Sequence, residues 1–164
     1  MATAVTLDLL KQYLERFGWR RYMATDEPFE KEGIIYTGWR SSPGVEGYNV
    51  VIDPMVEKNL LSIKVIKVLM APPKGTRANR LSDLLMAMSF INYRIILGKF
   101  AYDPRDGEVR FSVDMPIDES ELTYEQFHHC LGVAVATVED YAPKLQAILD
   151  GKKTAQQFVA EELR

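Results

Sequence analysis

Residues 100–113, which read FAYDPRDGEVRFSV, carry the clearest structural signal in the chain. The segment DPRDG in its middle is rich in residues that favour a tight turn. After the turn, apolar and polar residues alternate strictly, as in a strand with one buried and one wet face. The pattern predicts a β-hairpin whose second strand buries Phe111 and Val113 and exposes Arg110 and Ser112.

The residues before this hairpin predict a helix followed by several strands. Leu7, Leu10 and Leu14 lie at helical spacing. Short β-rich runs then predict strands at 19–24, 33–39, 48–53 and 58–70, with Pro54 ending the third. In the last run, the apolar face changes phase near Val65 and Ile66, which predicts a β-bulge.

Two further helices are expected around the hairpin. One has a predicted buried face, formed by Leu81, Leu84, Leu85, Met88 and Ile91. The other opens with Thr123 and Gln126, which form a capping box, and Pro143 should kink or split it. Strands joined by short turns imply an antiparallel sheet of about five strands, with the helices on one face. We therefore predict one α+β domain over residues 1–150, followed by a short amphipathic helix within 151–164.

The composition is that of an ordinary globular protein: 164 residues, 47% hydrophobic and 26% charged. A net charge of −3 argues against a nucleic-acid binder, which usually has a basic excess. One cysteine, Cys130, fits a reducing compartment. The first residues lack a signal-peptide pattern, and the apolar stretch 60–71 is interrupted by Lys64 and Lys67, so we expect no membrane segment and a cytoplasmic location.

No catalytic, cofactor-binding or metal-binding motif is recognisable. His128, His129 and Cys130 are adjacent, and consecutive helix positions point about 100° apart, so they cannot grip one metal ion. Two such pairs in a dimer are the remaining alternative. The acidic residues from Asp114 to Glu121 could form an acid/base pair or a metal site, but charge before a helix is also favoured by the helix dipole. We expect no tightly bound ion.

Several large apolar residues do not fit the predicted core stripes. They are Trp39, Met70, Met86, Phe90 and Ile96. Each could simply thicken the core. As a group they favour a protein interface, because methionines and aromatic residues suit adaptable recognition of peptides. We therefore expect a homodimer, with a protein or peptide client as a further partner.

The C-terminal half also resembles the YbjN-like family. The resemblance rests on LGKFAYD at 97–103, DGEVRF at 106–111, MPI at 115–117 and LTYEQ at 122–126. It implies a type III secretion chaperone-like fold, usually dimeric, without catalytic residues. Such chaperones hold an extended segment of a client protein. The resemblance thus implies a non-enzymatic, chaperone-like or regulatory module.

A different class of function stays open. A small-molecule-binding protein or a small enzyme can assemble its site from residues scattered along the chain, which leaves no motif. A deep apolar pocket with converging polar groups would indicate such a site. A shallow exposed surface would favour the protein-binding module.

Overall fold

The computed structural model describes residues 5–25, 33–44 and 46–164. These residues form four α-helices, six strands and two 3₁₀ turns at 56–58 and 78–80. The elements are α1 (Leu7–Phe17), β1 (Met23–Thr25), β2 (Ile34–Trp39), β3 (Tyr48–Met55), β4 (Leu60–Met70), α2 (Leu81–Arg94), β5 (Lys99–Tyr102), β6 (Glu108–Pro116), α3 (Tyr124–Leu149) and α4 (Ala155–Glu162).

The six strands form one antiparallel sheet in the order β1-β2-β3-β4-β6-β5. α3 packs across β4 and β6, α2 packs beside β5, and α1 packs against α3. The core lies between these helices and the inner face of the sheet. The predicted α+β class is confirmed, with six strands where about five were expected.

β3 continues past Pro54, where the sequence pattern ended it. Pro54 pairs with Leu61 of β4, and the strand runs on to Met55. On the other side, the ladder with β2 stops at Ile52. Residue 54 therefore has a partner strand on one side only, a position where the missing proline N–H is tolerated.

β4 contains the predicted bulge. Its pairing with β6 is regular up to Val65 and resumes at Leu69 after a register shift. Within the shift, Lys67 has a φ of 49°, a backbone conformation that a lysine seldom adopts. The Lys67 N–H donates to Oε1 of the buried Glu108 (3.1 Å), whose other oxygen pairs with Arg110 (2.7 Å). Glu108 therefore holds the bulge in place.

The hairpin between β5 and β6 forms as the sequence predicts. Gly107 has a φ of 86°, and its N–H donates to the Asp103 carbonyl at 2.8 Å. The Asp103 carboxylate accepts hydrogen bonds from the side chain and the backbone N–H of Arg105. These bonds lower the pKa of Asp103 to about 2. The turn is thus braced by side chains as well as by backbone bonds.

The two faces of β6 are only partly as predicted. Phe111 and Val113 are buried, at 0% and 1% exposure, and Arg110 is half-buried. The prediction that Ser112 is exposed was wrong, since it is 6% exposed. Ser112 lies between Lys64 of β4 and Lys99 of β5 in the sheet. The long stems of two neighbouring lysines can cover a short hydroxyl side chain.

α3 is one continuous helix of 26 residues, so of the two predicted outcomes at Pro143, a kink or a split, the split was wrong. Ala142 and Leu145, on either side of the proline, are buried at 4% and 0% exposure, whereas Pro143 faces outward. Packing of the flanking turns against the core offsets the lost backbone hydrogen bond. The predicted capping box between Thr123 and Gln126 is present.

Replacing Phe111 with alanine tests the assignment of the buried face. Phe111 is fully buried and lies 4.9 Å from Phe100, centroid to centroid. We expect Phe111→Ala to lower the free energy of unfolding by about 3–5 kcal/mol in chemical denaturation. The control, Met23→Ala at a side chain that is 69% exposed, should change it by less than ~0.5 kcal/mol. A loss below about 1 kcal/mol for Phe111→Ala would contradict this packing.

Candidate protein-interaction surface

The five residues predicted to form an interface lie in three places. Met86 and Phe90 are on α2, and Ile96 is in the turn that follows this helix. Met70 is at the end of β4, and Trp39 at the end of β2. The structure thus groups three of the five around α2 and leaves Met70 and Trp39 elsewhere.

α2 has a second apolar face that points away from the core. Its core side consists of Leu84, Ala87, Met88 and Ile91, which are all buried. The outer residues include Leu85, Met86 and Tyr93, at 39%, 55% and 87% exposure. At helical geometry these three fall within about 100° of one another, and the exposed Ser82 and Ser89 lie between them. We call these five residues the α2 face.

Leu85 and Tyr93 were missed by sequence reasoning. Leu85 was assigned to the buried side of the helix, and the tract that begins at Tyr93 was not assigned. A usable signal was present, since Leu85, Met86 and Tyr93 lie outside the stripe formed by Leu84, Met88 and Ile91, and large side chains beyond one stripe indicate a second contact surface. Of the two sides, only the first is covered by the described part of the chain.

Neither charged residue of α2 is on this face. The Asp83 carboxylate accepts the Ala155 N–H at 3.3 Å. The Arg94 guanidinium donates to the Glu162 carbonyl at 2.7 Å. Both interactions hold α4 against the flank of α2. The α2 face is therefore uncharged.

Phe90 belongs to this flank as well. It is half-buried, and its ring lies 6.3 Å from that of Phe158 on α4, in an edge-to-face arrangement. The Arg94 guanidinium lies 5.4 Å from the Phe90 ring centroid. Phe90 thus packs within the chain and borders the α2 face.

Asn92 fixes the end of α2 to the edge of the sheet. Its side-chain amide donates to the Phe100 carbonyl (2.9 Å) and accepts the Phe100 N–H (2.8 Å). An amide side chain thereby takes the place that a seventh strand would occupy beside Phe100. The turn held by these bonds presents Ile96, which is fully exposed. The α2 face and Ile96 are consequently presented on a rigid support.

Trp39 makes contacts within the chain. Its ring stacks on Trp19 at 5.8 Å and lies 4.9 Å from Tyr48. Its indole N–H donates to Glu139 on α3 at 2.8 Å. Burial of the Tyr48 hydroxyl, and then the nearby Glu139 carboxylate, raise the pKa of Tyr48. Met70 is 39% exposed and stands apart from the α2 face in sequence and strand position.

The two histidines and the cysteine all lie on α3. His128 and His129 are exposed on α3, and Cys130 is buried, which raises the pKa of its thiol. Asp114 accepts a hydrogen bond from Ser62 (2.6 Å) and lies 3.7 Å from the Lys99 ammonium. Within residues 5–25, 33–44 and 46–164, no three His, Cys, Asp or Glu side chains converge on a metal-sized site.

None of the helices in the described part of the chain combines the length and the apolar character that crossing a bilayer demands. Even α3, the longest of them, has too many polar positions to serve as a span.

Comparison with known proteins gives a family and a fold. Residues 6–147 match the model of the YbjN family, described as "Putative bacterial sensory transduction regulator". No curated protein matches the chain.

Two crystal structures are similar to this one. The structure of YbjN, "a putative transcription regulator from E. coli", is 17% identical, with a TM-score of 0.54 over 93% of this chain and 95% of that chain. A chain of the ExsC–ExsE complex is 15% identical, with a TM-score of 0.51 over 86% of this chain and 97% of that one. The family match covers most of the chain, and we conclude that the protein belongs to the YbjN family.

Proposed function

We propose that this protein is a non-enzymatic, protein-binding module that acts as a homodimer and holds an extended segment of a client protein. The observation that carries the proposal is the α2 face, an uncharged apolar surface on a rigid helix. Large exposed apolar patches on folded domains typically mark interaction sites. The similarity to a chain of the ExsC–ExsE complex supports the fold of such a module.

The occupant of the α2 face in this proposal is a second copy of the chain. A two-fold interface brings the same patch together from both subunits, so it must be self-complementary. The α2 face meets this condition, because it has no charge that would meet its own like charge. Ser82 and Ser89 between the larger side chains leave room for two helices to approach closely.

Pairing through the edge of the sheet is less favourable at this end of the molecule. β5 is the edge strand beside α2, and Asn92 already bonds both outward backbone groups of Phe100. A strand from another molecule would have to displace these bonds. Side-chain packing on α2 therefore suits dimerisation better than strand addition at β5.

The same proposal places the protein in the cytoplasm and makes its client a protein. A lone thiol, Cys130, is compatible with that reducing compartment. One cleft, lined by residues at the end of β2 and the start of β3, is open and mostly polar, and it gives the small-molecule alternative little support. Typical ligand sites are more enclosed and mostly apolar.

Charge placed on the α2 face should separate the dimer. We expect the parent protein to be dimeric in size-exclusion chromatography with light scattering at tens of micromolar. Met86→Glu with Tyr93→Glu should raise the dissociation constant at least ~100-fold, because buried like charges oppose each other across the two-fold axis. Both side chains are exposed in the monomer, so the variant should keep its far-UV circular dichroism.

A matched control uses an exposed apolar residue elsewhere. Leu163→Glu, at a side chain that is 68% exposed after α4, should leave the dimer intact. A parent protein that is monomeric at that concentration would contradict the dimer. A dimer that tolerates both glutamates would contradict the α2 face as its interface.

The client is tested by purification from the native cell with the tagged protein. Captured proteins should share a segment that, made as a synthetic peptide, binds the purified dimer and becomes resistant to protease. If no such peptide binds, and a small metabolite instead raises the melting temperature, the protein is a ligand-binding protein and the proposal is wrong.

A further inference from the structure

We propose that the ends of β2, β3 and β4 form a binding site for an acidic, extended protein segment, an inference that rests on the proposed function and gives its client a chemistry. The site is an open cleft of about 640 Å³. Its lining residues are Arg21, Gly38, Trp39, Arg40, Glu46, Gly47, Tyr48, Asn49 and Lys67. We call it the basic cleft.

The charge of the basic cleft is opposite to that of the protein. The lining contains three cationic side chains, Arg21, Arg40 and Lys67, and one carboxylate, Glu46, which gives the lining a net charge of +2 in a chain whose net charge is −3. The Glu139 carboxylate, which is outside the lining, accepts the Trp39 indole N–H. Among the described residues, none of these three cationic side chains has an ion-pair partner, whereas ten other lysines and arginines do. Three cations in one lining, without an ion-pair partner in the described part of the chain, favour an anionic ligand.

The backbone of Lys67 is held in an unfavourable conformation at this site. Its positive φ follows from the β4 bulge, and the Glu108 carboxylate accepts its N–H. A non-glycine residue in this region is strained, and such strain clusters at functional sites. Bulges re-aim side chains, and this one places Lys67 in the lining of the basic cleft.

The spacing of the cations favours an extended chain over a single phosphate. Arg21 lies beside β2, since Thr37 Oγ1 donates to its carbonyl at 2.9 Å. Arg40 follows the end of β2, and Lys67 is on β4, two strands away. Neighbouring strands are ~4.8 Å apart, so these cations spread over roughly 10–14 Å. Alternate residues of an extended segment are about 7 Å apart, so carboxylates at alternate positions can reach them in turn.

The aromatic residues complete the match to a peptide. Trp39 and Tyr48 form one wall, and the indole N–H of Trp39 is already bonded to Glu139. The two half-buried rings supply the smaller, apolar part of a cleft whose surface is otherwise mostly polar. Nucleic acid fits less well, because the chain has a net charge of −3 and lacks the basic excess of such binders.

The test measures binding of a fluorescein-labelled peptide of alternating glutamate and serine with a central tyrosine, by fluorescence anisotropy. The parent protein should bind it, less tightly as salt is added, and should not bind the same peptide with glutamine in place of glutamate. Arg40→Gln with Lys67→Gly should weaken binding at least ~10-fold. Glycine suits the positive φ at position 67, so this variant should fold at least as well as the parent.

Lys152→Gln removes an exposed cation outside the basic cleft and should leave binding unchanged. Equal binding of the glutamate and glutamine peptides, or full binding by the Arg40→Gln/Lys67→Gly variant, would overturn the site. So would tighter binding of single-stranded DNA or of pyrophosphate than of the acidic peptide. If the acidic peptide does not bind, but the protein still forms a dimer and still captures a client from the native cell, the basic cleft is wrong and the proposed function stands. The client then binds to a different surface.

Discussion

The proposed assembly depends on one constraint: α2 carries large apolar side chains on two sides, and the described part of the chain covers only one of them. Leu84 and Ile91 enter the core beside β5, and the opposite side leaves Met86 and Tyr93 in solvent. Burying the second side needs an additional surface, because α3 and α4 already occupy the flanks of α2. Dimerisation through this helix would satisfy that need without any change in the fold.

The sheet provides the rigidity that such an interface requires. β4 is paired over most of its length on both sides, by β3 and by β6. The Asn92 amide bonds α2 to β5. β5 in turn pairs with β6 in the same sheet. The β4 bulge, with Lys67 at its centre, begins after Val65, which lies in the same row of the sheet as Phe111 and Phe100. The two proposed binding surfaces therefore share one support but use separate residues, so each can be altered without the other.

Much of the fold could be predicted because the signals were local. The turn at Asp103–Gly107, the bulge after Val65 and the burial of Phe111 follow from turn chemistry and from alternation within one strand. Ser112 and Leu85 were misassigned because their exposure depends on neighbours that are distant in sequence. Lys64 and Lys99 are the register partners of Ser112 on the neighbouring strands, and no periodicity within β6 could reveal them.

The candidate surfaces were less predictable for the same reason. Met86 and Ile96 were identified as surplus apolar residues, but Tyr93 was recognisable only once the core side of α2 was known. Arg21, Arg40 and Lys67 are far apart in the chain. They line the same cleft because the sheet order β2-β3-β4 places their segments close together.

The most direct test of the central claim is cross-linking through the middle of α2. Ser89→Cys places a thiol at the centre of the α2 face, whereas the native Cys130 is buried and its raised pKa slows its reaction. A short thiol-specific cross-linker should convert Ser89→Cys to a covalent dimer, because a two-fold interface brings equivalent central residues together. Gln156→Cys, at an exposed position on α4, should stay monomeric on a denaturing gel. Equal cross-linking of the two variants, or none for Ser89→Cys, would contradict the account.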